Sequence, residues 1–584
     1  LAVRGEQYLA IIPIGGGSPS IIPLEENDLL WIDWVNEDWL VAGIGGEAAF
    51  GRYGVSYITR AVGLKADGTK SVPLLTRSRQ VGRYADNVIW IAHDGTPRVR
   101  LAMQRAQYLH EPGFWPEVLE FNVSTGRSRL IVSGREGIFD WITDGDGNVR
   151  VGVGNFDGQY RILYRGSDSD GWRELADQEV AYRESVAKPD LFLDDGTVLS
   201  LTAGPDGIRR LYRYDLETMS LGEPLYQSEG HDIGSYRTNA AQNKLIGVSY
   251  LDQGSTIQWL DSSLAEIQRE VRERINGGDA SIISYSDDYG RAIIKVGSND
   301  SPGAYFLYDR ASGGMNLIAY GNPKIQLARL NPVSTVHYAA RDGLPIEAVL
   351  TLPKGKSENL PLVVMPHGGP DARDYEHYDW WAQFVASRGY AVIQPNYRGS
   401  SGYGRAFSVA GDGEWGRKMQ DDLDDAVAYL AEQGIADPGR VCIVGGSYGG
   451  YAALRGAQRN PEIYRCAVSF AGVSDMNAML AHDKRFLSNQ FTDWLSNQAP
   501  DLSDISPINF ASDFRVPVLL VHGKKDLRLP ESQSSRMAEK LRAANKDVIY
   551  IEQPEGDHHF TREADRVEFL EALEKFLLEH NPPN

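Results

Sequence analysis

The sequence predicts two domains: a seven-bladed β-propeller over residues 1–330, then a doubly wound, mostly parallel α/β sheet over residues 331–584. Three observations predict it. At 584 residues the chain is too long for a single core. Before about residue 330, strand-like runs alternate with Gly, Asp and Asn turns and long amphipathic helices are scarce. After it, short apolar strands alternate with helical patterns.

In the first part a short apolar-aromatic strand followed by a polar turn recurs at Tyr8–Ile14, Tyr53–Arg60, Val118–Asn122, Tyr160–Arg165, Leu211–Asp215, Ile257–Asp261 and Tyr305–Asp309. The last five units end at residues 122, 165, 215, 261 and 309. A period of roughly 40–50 residues made only of strand and turn is that of propeller blades. Seven units suit a ring, which protects sheet edges by radial repetition.

In the second part Val333–Ala339 and Ile346–Leu352 flank the turn Arg341-Asp342-Gly343. Buried strands are expected at Leu362–Met365, Ala391–Gln394, Val441–Val444, Cys466–Phe470, Val518–His522 and Val548–Glu552. Helices are expected at Trp381–Arg388, Met419–Gln433, Tyr451–Arg459, Gln533–Ala544 and Arg562–His580. In the last helix Val567, Leu570, Leu573 and Leu577 form the apolar stripe.

Charge and composition narrow the partners. Lys and Arg total 59 against 79 Asp and Glu, a net −20 with no basic block, which argues against nucleic acid or an anionic membrane. No run reaches 18 apolar residues, so a membrane helix is not expected. A soluble protein results, in the cytoplasm or the periplasm; the chain opens on Leu1 rather than Met, as it would with a leader trimmed, which leaves the compartment undecided. Cys442 and Cys466 fall on strands expected to be neighbours, which leaves a disulfide open, and buried free thiols are the preferred reading. Asp144–Asn148 lacks the sixth-place glycine and closing glutamate of a calcium loop and reads as a β-turn. Asp421-Asp422-Leu423-Asp424-Asp425 reads as a solvated helix start. No metal or cofactor is expected.

The chemistry concentrates at Gly445-Gly446-Ser447-Tyr448-Gly449-Gly450, a G-x-S-x-G sequence between an apolar strand and a helix. A serine on so sharp a bend needs small neighbours, and the helix beyond it offers N–H groups to a developing oxyanion. Asp526 and His558 then follow two successive strands, in the order serine, acid, base. Upstream, His367-Gly368-Gly369-Pro370 supplies a turn with a main-chain N–H donor. Asn396–Gly404 is a glycine-rich loop on the same carboxyl edge of the sheet, where ligands bind in open α/β folds.

These motifs, spread over some 200 residues, resemble the catalytic domain of the prolyl oligopeptidase family of serine peptidases, nearest its acylaminoacyl-peptidase-like branch. The resemblance implies an α/β-hydrolase domain behind the propeller, with Ser447 as nucleophile, His558 as general base and acid and Asp526 as orienting carboxylate. It further implies that the N–H groups of Gly369 and Tyr448 hold the oxyanion. The family commonly shows Gly-His-Gly-Phe at the base; here Asp557-His558-His559-Phe560 carries two histidines, and aligning Phe560 selects His558. The substrate implied is a short peptide, cleaved at a peptide or N-acyl-peptide bond, with the propeller gating and selecting substrate. An esterase or isopeptide-bond hydrolase using the same triad is the alternative, and a propeller binding protein with an inert hydrolase domain is the third reading. Val473 and Arg398 are expected in the substrate pocket. Glu25-Glu26 and Glu184 are the acids available to clamp a free amino terminus.

Overall fold

The structure is a computed structural model that describes residues 2–583 apart from 4–5, 25–26, 50–54, 76–81, 107, 112, 157, 182–183, 185, 277, 326–329 and 486. Between Asp28 and Tyr320 six sheets follow one another along the chain, antiparallel but for the short Tyr84–Ala85 strand on the first, starting with Asp28–Trp34 and ending with Gly314–Tyr320. Buried apolar clusters join each sheet to the next. Val41, Leu101 and Phe121 link the first pair, Val118, Trp141 and Leu163 the second, and Val153, Ile162 and Phe192 the third. Leu199, Leu211 and Val248 link the fourth sheet to the fifth, and Ile246, Ile282 and Ile294 the fifth to the sixth. This is a β-propeller.

The blade count corrects the seven expected. The first repeat unit, Tyr8–Ile14, falls instead in a small three-stranded sheet whose Leu9 and Ile11 pack on Leu40 and Leu64 of the first blade. Among the described residues no buried cluster joins that sheet to the sixth blade, so it is an addition to the first blade rather than a seventh. Each of the other six units overlaps the third strand of its sheet, such as Glu117–Asn122, Gln159–Tyr164 and Ala304–Asp309. The repeat therefore located one strand per blade. The fifth blade has three strands and continues into a helix, Ser262–Arg274, capped by Asp261, which accepts from the N–H groups of Ser263 and Leu264. Leu264, Ile267 and Val271 turn that helix onto the gap between the fifth and sixth blades.

From Val333 onward the chain forms one eight-stranded sheet. In spatial order its strands are Val333–Ala339, Pro345–Thr351, Ala391–Pro395, Leu360–Val364, Ala436–Gly446, Cys466–Phe470, Val518–Gly523 and Val548–Gln553. The last six are parallel to one another. Such strands are apolar throughout because both faces are covered. Val441 and Ile443 enter the core beneath the helices Lys418–Glu432 and Tyr448–Arg459, while Cys442 and Val444 enter the one beneath Trp380–Ser387 and Glu563–His580. In that last helix the buried face is Phe569, Leu573, Phe576 and Leu577, and Val567 is exposed.

Cys442 and Cys466 are joined, which corrects the free thiols expected. They pair in register on adjacent parallel strands with Cα atoms 4.8 Å apart, within the span a disulfide bridges. The acidic run is half buried rather than solvated. Asp422 is bonded by Arg398, and Asp424 accepts from Tyr464 Oη at 2.7 Å, while burial pushes the Asp424 carboxyl up to about 7. Among the described residues no helix is long and apolar enough to cross a membrane.

The propeller packs on the loops at the carboxyl edge of the eight-stranded sheet. Asp232 N–H donates to Gly402 O at 3.0 Å, Glu376 N–H to Gln253 O at 2.7 Å, and Arg405 pairs with Glu184 at 3.0 Å.

Candidate active site

Only Ser447 separates the strand Ala436–Gly446 from the helix Tyr448–Arg459. It sits at φ +57°, a conformation that costs a non-glycine residue about 1–3 kcal/mol. The flanking glycines make so tight a bend possible: a Cβ on Gly445 would stand 2.4 Å from the main chain of Gly449, and one on Gly449 2.1 Å from Pro366 O. The Ser447 N–H donates to Phe470 O at 2.9 Å, which ties the bend to the neighbouring strand. The helix begins at Tyr448, so its positive dipole end faces the serine.

Gly369 stands beside this bend. Its φ of +119° and the Asp371 nitrogen 2.7 Å from any Cβ there leave room for glycine alone. The turn is held by His367, whose Nδ1 donates to Gly368 O at 2.8 Å while Nε2 lies 2.9 Å from Ser400 Oγ. Burial pushes the His367 imidazole down to about 4, so the ring stays neutral. Among the described residues neither the Gly369 nor the Tyr448 N–H has an acceptor. Both residues line, with Ser447, a single cavity of about 110 Å³.

Asp526 follows the strand Val518–Gly523, and its side chain is buried. Its Oδ1 accepts from the N–H groups of Arg528 and Leu529 at 2.8 and 2.7 Å, and Oδ2 accepts from His558 Nδ1 at 2.6 Å. Burial alone would raise its pKa, but donors from His522 and His558 outweigh it and hold the carboxyl well below the usual carboxylate range. The acid is therefore ionised and fixes His558 with Nδ1 protonated and Nε2 open. His559 is exposed, its ring edge-on to that of His558 at 5.2 Å between centroids.

Ser447 and His558 are not hydrogen-bonded to one another, and their segments meet through aromatic packing. Phe470, whose carbonyl holds Ser447, stacks on Phe560 at 3.7 Å between centroids, two residues beyond His558. Trp381 closes on both phenylalanines.

The sequence reading missed His522. Its ring is fully buried, with Nδ1 2.8 Å from Ser534 Oγ and Nε2 3.1 Å from Leu529 O and 3.3 Å from Asp526 Oδ2. A carbonyl only accepts, so Nε2 carries the proton and shares it with Asp526. The signal was present in the spacing His522-x-x-x-Asp526 directly after a strand.

Val473 lines the cavity, together with Trp415, Tyr451, Phe491 and Trp494. Arg398 does not. Its guanidinium is buried and bound by Asp422 at 2.7 Å and Asp342 at 2.9 Å, which hold it as a brace beneath the glycine-rich loop. Glu184 is taken by Arg405, and Glu25 and Glu26 lie outside the described residues.

Residues 376–582 match the sequence model of the prolyl oligopeptidase family. Dipeptidyl aminopeptidase BIII of Pseudoxanthomonas mexicana is 29% identical over 507 residues, covering 83% of this chain and 71% of its own. The acylamino-acid-releasing enzyme of Sus scrofa is 30% identical over 262 residues, 42% of this chain and 35% of that one. Among solved structures, the Pyrococcus horikoshii acylaminoacyl peptidase superposes with a TM-score of 0.67 at 15% identity, over 99% of this chain and 92% of that one.

Proposed function

We propose, from the match of residues 376–582 to the prolyl oligopeptidase family and from the relatives named above, that this chain is a serine peptidase that cleaves peptide or N-acyl-peptide bonds in short peptides. One observation carries the reading most: an ionised, buried Asp526 orients His558 at 2.6 Å on the sheet edge where Ser447 stands on a strained bend beside two unused N–H donors.

In this mechanism His558 Nε2 takes the Ser447 proton as the serine oxygen attacks the substrate carbonyl. The new oxyanion is held by the N–H groups of Gly369 and Tyr448. His558 then protonates the leaving amine, and an acyl-enzyme remains. Water, deprotonated by the same ring, attacks the acyl carbon and frees Ser447. Asp526 stabilises the imidazolium formed twice in each cycle. Asp526 in turn is steadied by His522 and two main-chain N–H groups.

The propeller restricts substrate by its position. Its contacts on the loops that carry Gly369 and the glycine-rich turn support a limit to short, extended peptides. The relatives are named one for dipeptidyl and the other for acylamino-acid release. The experiment is therefore hydrolysis of a peptide library with free and blocked amino termini, read by mass spectrometry. Cleavage confined to short peptides and abolished by Ser447→Ala supports the proposal. Cleavage of folded proteins, or cleavage that survives Ser447→Ala, contradicts it.

A further inference from the structure

The cavity beside Ser447 is smaller than the roughly 300–1,000 Å³ of a site for a whole drug-sized ligand, so it takes one side chain. Since Gly369, Tyr448 and Ser447 are part of its lining, that side chain belongs to the residue whose carbonyl is attacked. Its walls are aromatic and apolar with one exception. Asp483, at the C-terminal end of the helix Met476–Asp483, lines the cavity while only 1% exposed.

Three features make this acid unusual. It lies at the negative end of its helix dipole, where a carboxylate is disfavoured. Its Oδ1 takes both available contacts, Arg528 Nη1 at 3.3 Å and His482 Nδ1 at 3.4 Å, each longer than the 2.7–2.9 Å or so of a strong charge-assisted bond. Its Oδ2 is buried with no hydrogen-bond partner among the described residues. A buried ionised carboxylate with one oxygen unserved is costly in a folded protein unless something else supplies the donor. A carboxylate only accepts, so a ligand that serves this oxygen must bring it an N–H or O–H. A second unpaired atom in the lining, Tyr451 Oη, lies against Gly416 and can donate or accept, so it does not choose the ligand's charge.

Resting on the peptidase reading above, we propose that Asp483 selects substrates with a basic side chain, lysine or arginine, on the acyl side of the scissile bond. The alkyl stem lies along Trp415, Val473 and Trp494 while the cationic head reaches Oδ2. Arg528, half exposed at the mouth, opposes this choice, but the exposed Asp371 in the same lining leaves the balance of formal charge negative. The net −20 of the chain adds to the attraction of cationic peptides.

The test compares blocked dipeptidyl aminomethylcoumarins that differ only in that residue: lysine, norleucine and glutamate. The full-length enzyme is expected to favour lysine over norleucine about tenfold or more in kcat/KM. Asp483→Asn should bring the two together by losing lysine turnover far more than norleucine turnover, with phosphonate labelling of Ser447 showing that the nucleophile is intact. Asp483→Glu should keep the sign of the preference. Equal or reversed rates in the wild type, an unchanged ratio in Asp483→Asn, or a preference for glutamate, which would assign the pocket to Arg528, each overturn it. Equilibrium binding of the lysine and norleucine peptides to Ser447→Ala needs no turnover. Tighter lysine binding lost in Asp483→Asn/Ser447→Ala supports the pocket even if the peptidase mechanism fails, and equal binding removes it even if the mechanism stands.

Discussion

Replacing Asp526 by asparagine separates what the carboxylate does for catalysis from what it does for folding. Asp526 accepts four times: from the Arg528 and Leu529 N–H groups on Oδ1, and from His558 and His522 on Oδ2. An asparagine oxygen can keep the first two, which are main-chain contacts and fix the rotamer. Its amide nitrogen then faces two imidazole N–H groups that can no longer donate. His558 is driven to the other tautomer, with the proton on Nε2, and ceases to be a base toward Ser447. The same substitution in a Ser-His-Asp triad costs about 10⁴ in kcat, or about 5.5 kcal/mol of barrier. The fold pays separately, by about 1–3 kcal/mol, since the fully buried His522 N–H keeps Leu529 O but loses its charged acceptor and faces an amide nitrogen instead. The assay is kcat and KM on one peptide amide, with a denaturant titration alongside. The expected result is kcat down by about 10³–10⁴, KM little changed and a lower unfolding midpoint. An Asp526→Asn enzyme that keeps more than a tenth of wild-type kcat would refute this account of the acid.

Three further outcomes follow from particular contacts. His558→Ala should lose about 10³-fold or more in kcat while His559→Ala stays near wild type, measured on the same substrate; the opposite ranking would move the base by one residue. Asp374 is half-buried with its Oδ2 wholly covered, and desolvation first, then the Asp379 charge, pushes its carboxyl up to about 8 from an ordinary 3.8. Between those values the folded state holds a proton that the unfolded state has lost, so its stability falls as pH rises, by about 1.4 kcal/mol per unit. Melting temperatures from pH 5 to 8 should therefore decline less steeply in Asp374→Asn than in the wild type, and equal slopes would contradict the assignment. The Cys442–Cys466 bond closes a loop of sequence separation 24, so the doubly alanine-substituted chain should be about 3 kcal/mol less stable to denaturant, and reductant should bring the wild type down toward it.

Much of the site is legible in the sequence because its constraints are steric and local. A serine between glycines at a strand-to-helix bend can be read from spacing, since Gly445 and Gly449 must lie within a Cβ of other main-chain atoms. The order of Ser447, Asp526 and His558 reads as three strand ends. What the sequence hides is pairing at a distance. Arg398 looks like a loop cation at the ligand edge until Asp342 and Asp422, 56 and 24 residues away, are seen to hold it. Asp422 and Asp424 look solvated until the helix is turned inward on Arg398 and Tyr464. The helices Met476–Asp483 and Asn489–Ser496, which wall the cavity, are too short to declare a period, so the buried Asp483 passes unnoticed. The blade count failed for a related reason, because a strand-and-turn unit marks a strand and cannot say which sheet it joins.

The most direct test of the central claim is covalent. Intact mass and peptide mapping of the full chain after treatment with a fluorophosphonate should show one adduct per chain, on Ser447, none in Ser447→Ala, and much slower labelling in His558→Ala. A wild-type chain that stays unlabelled, or an adduct mapped to another serine, would contradict the claim that Ser447 and His558 act together as the nucleophile and its base.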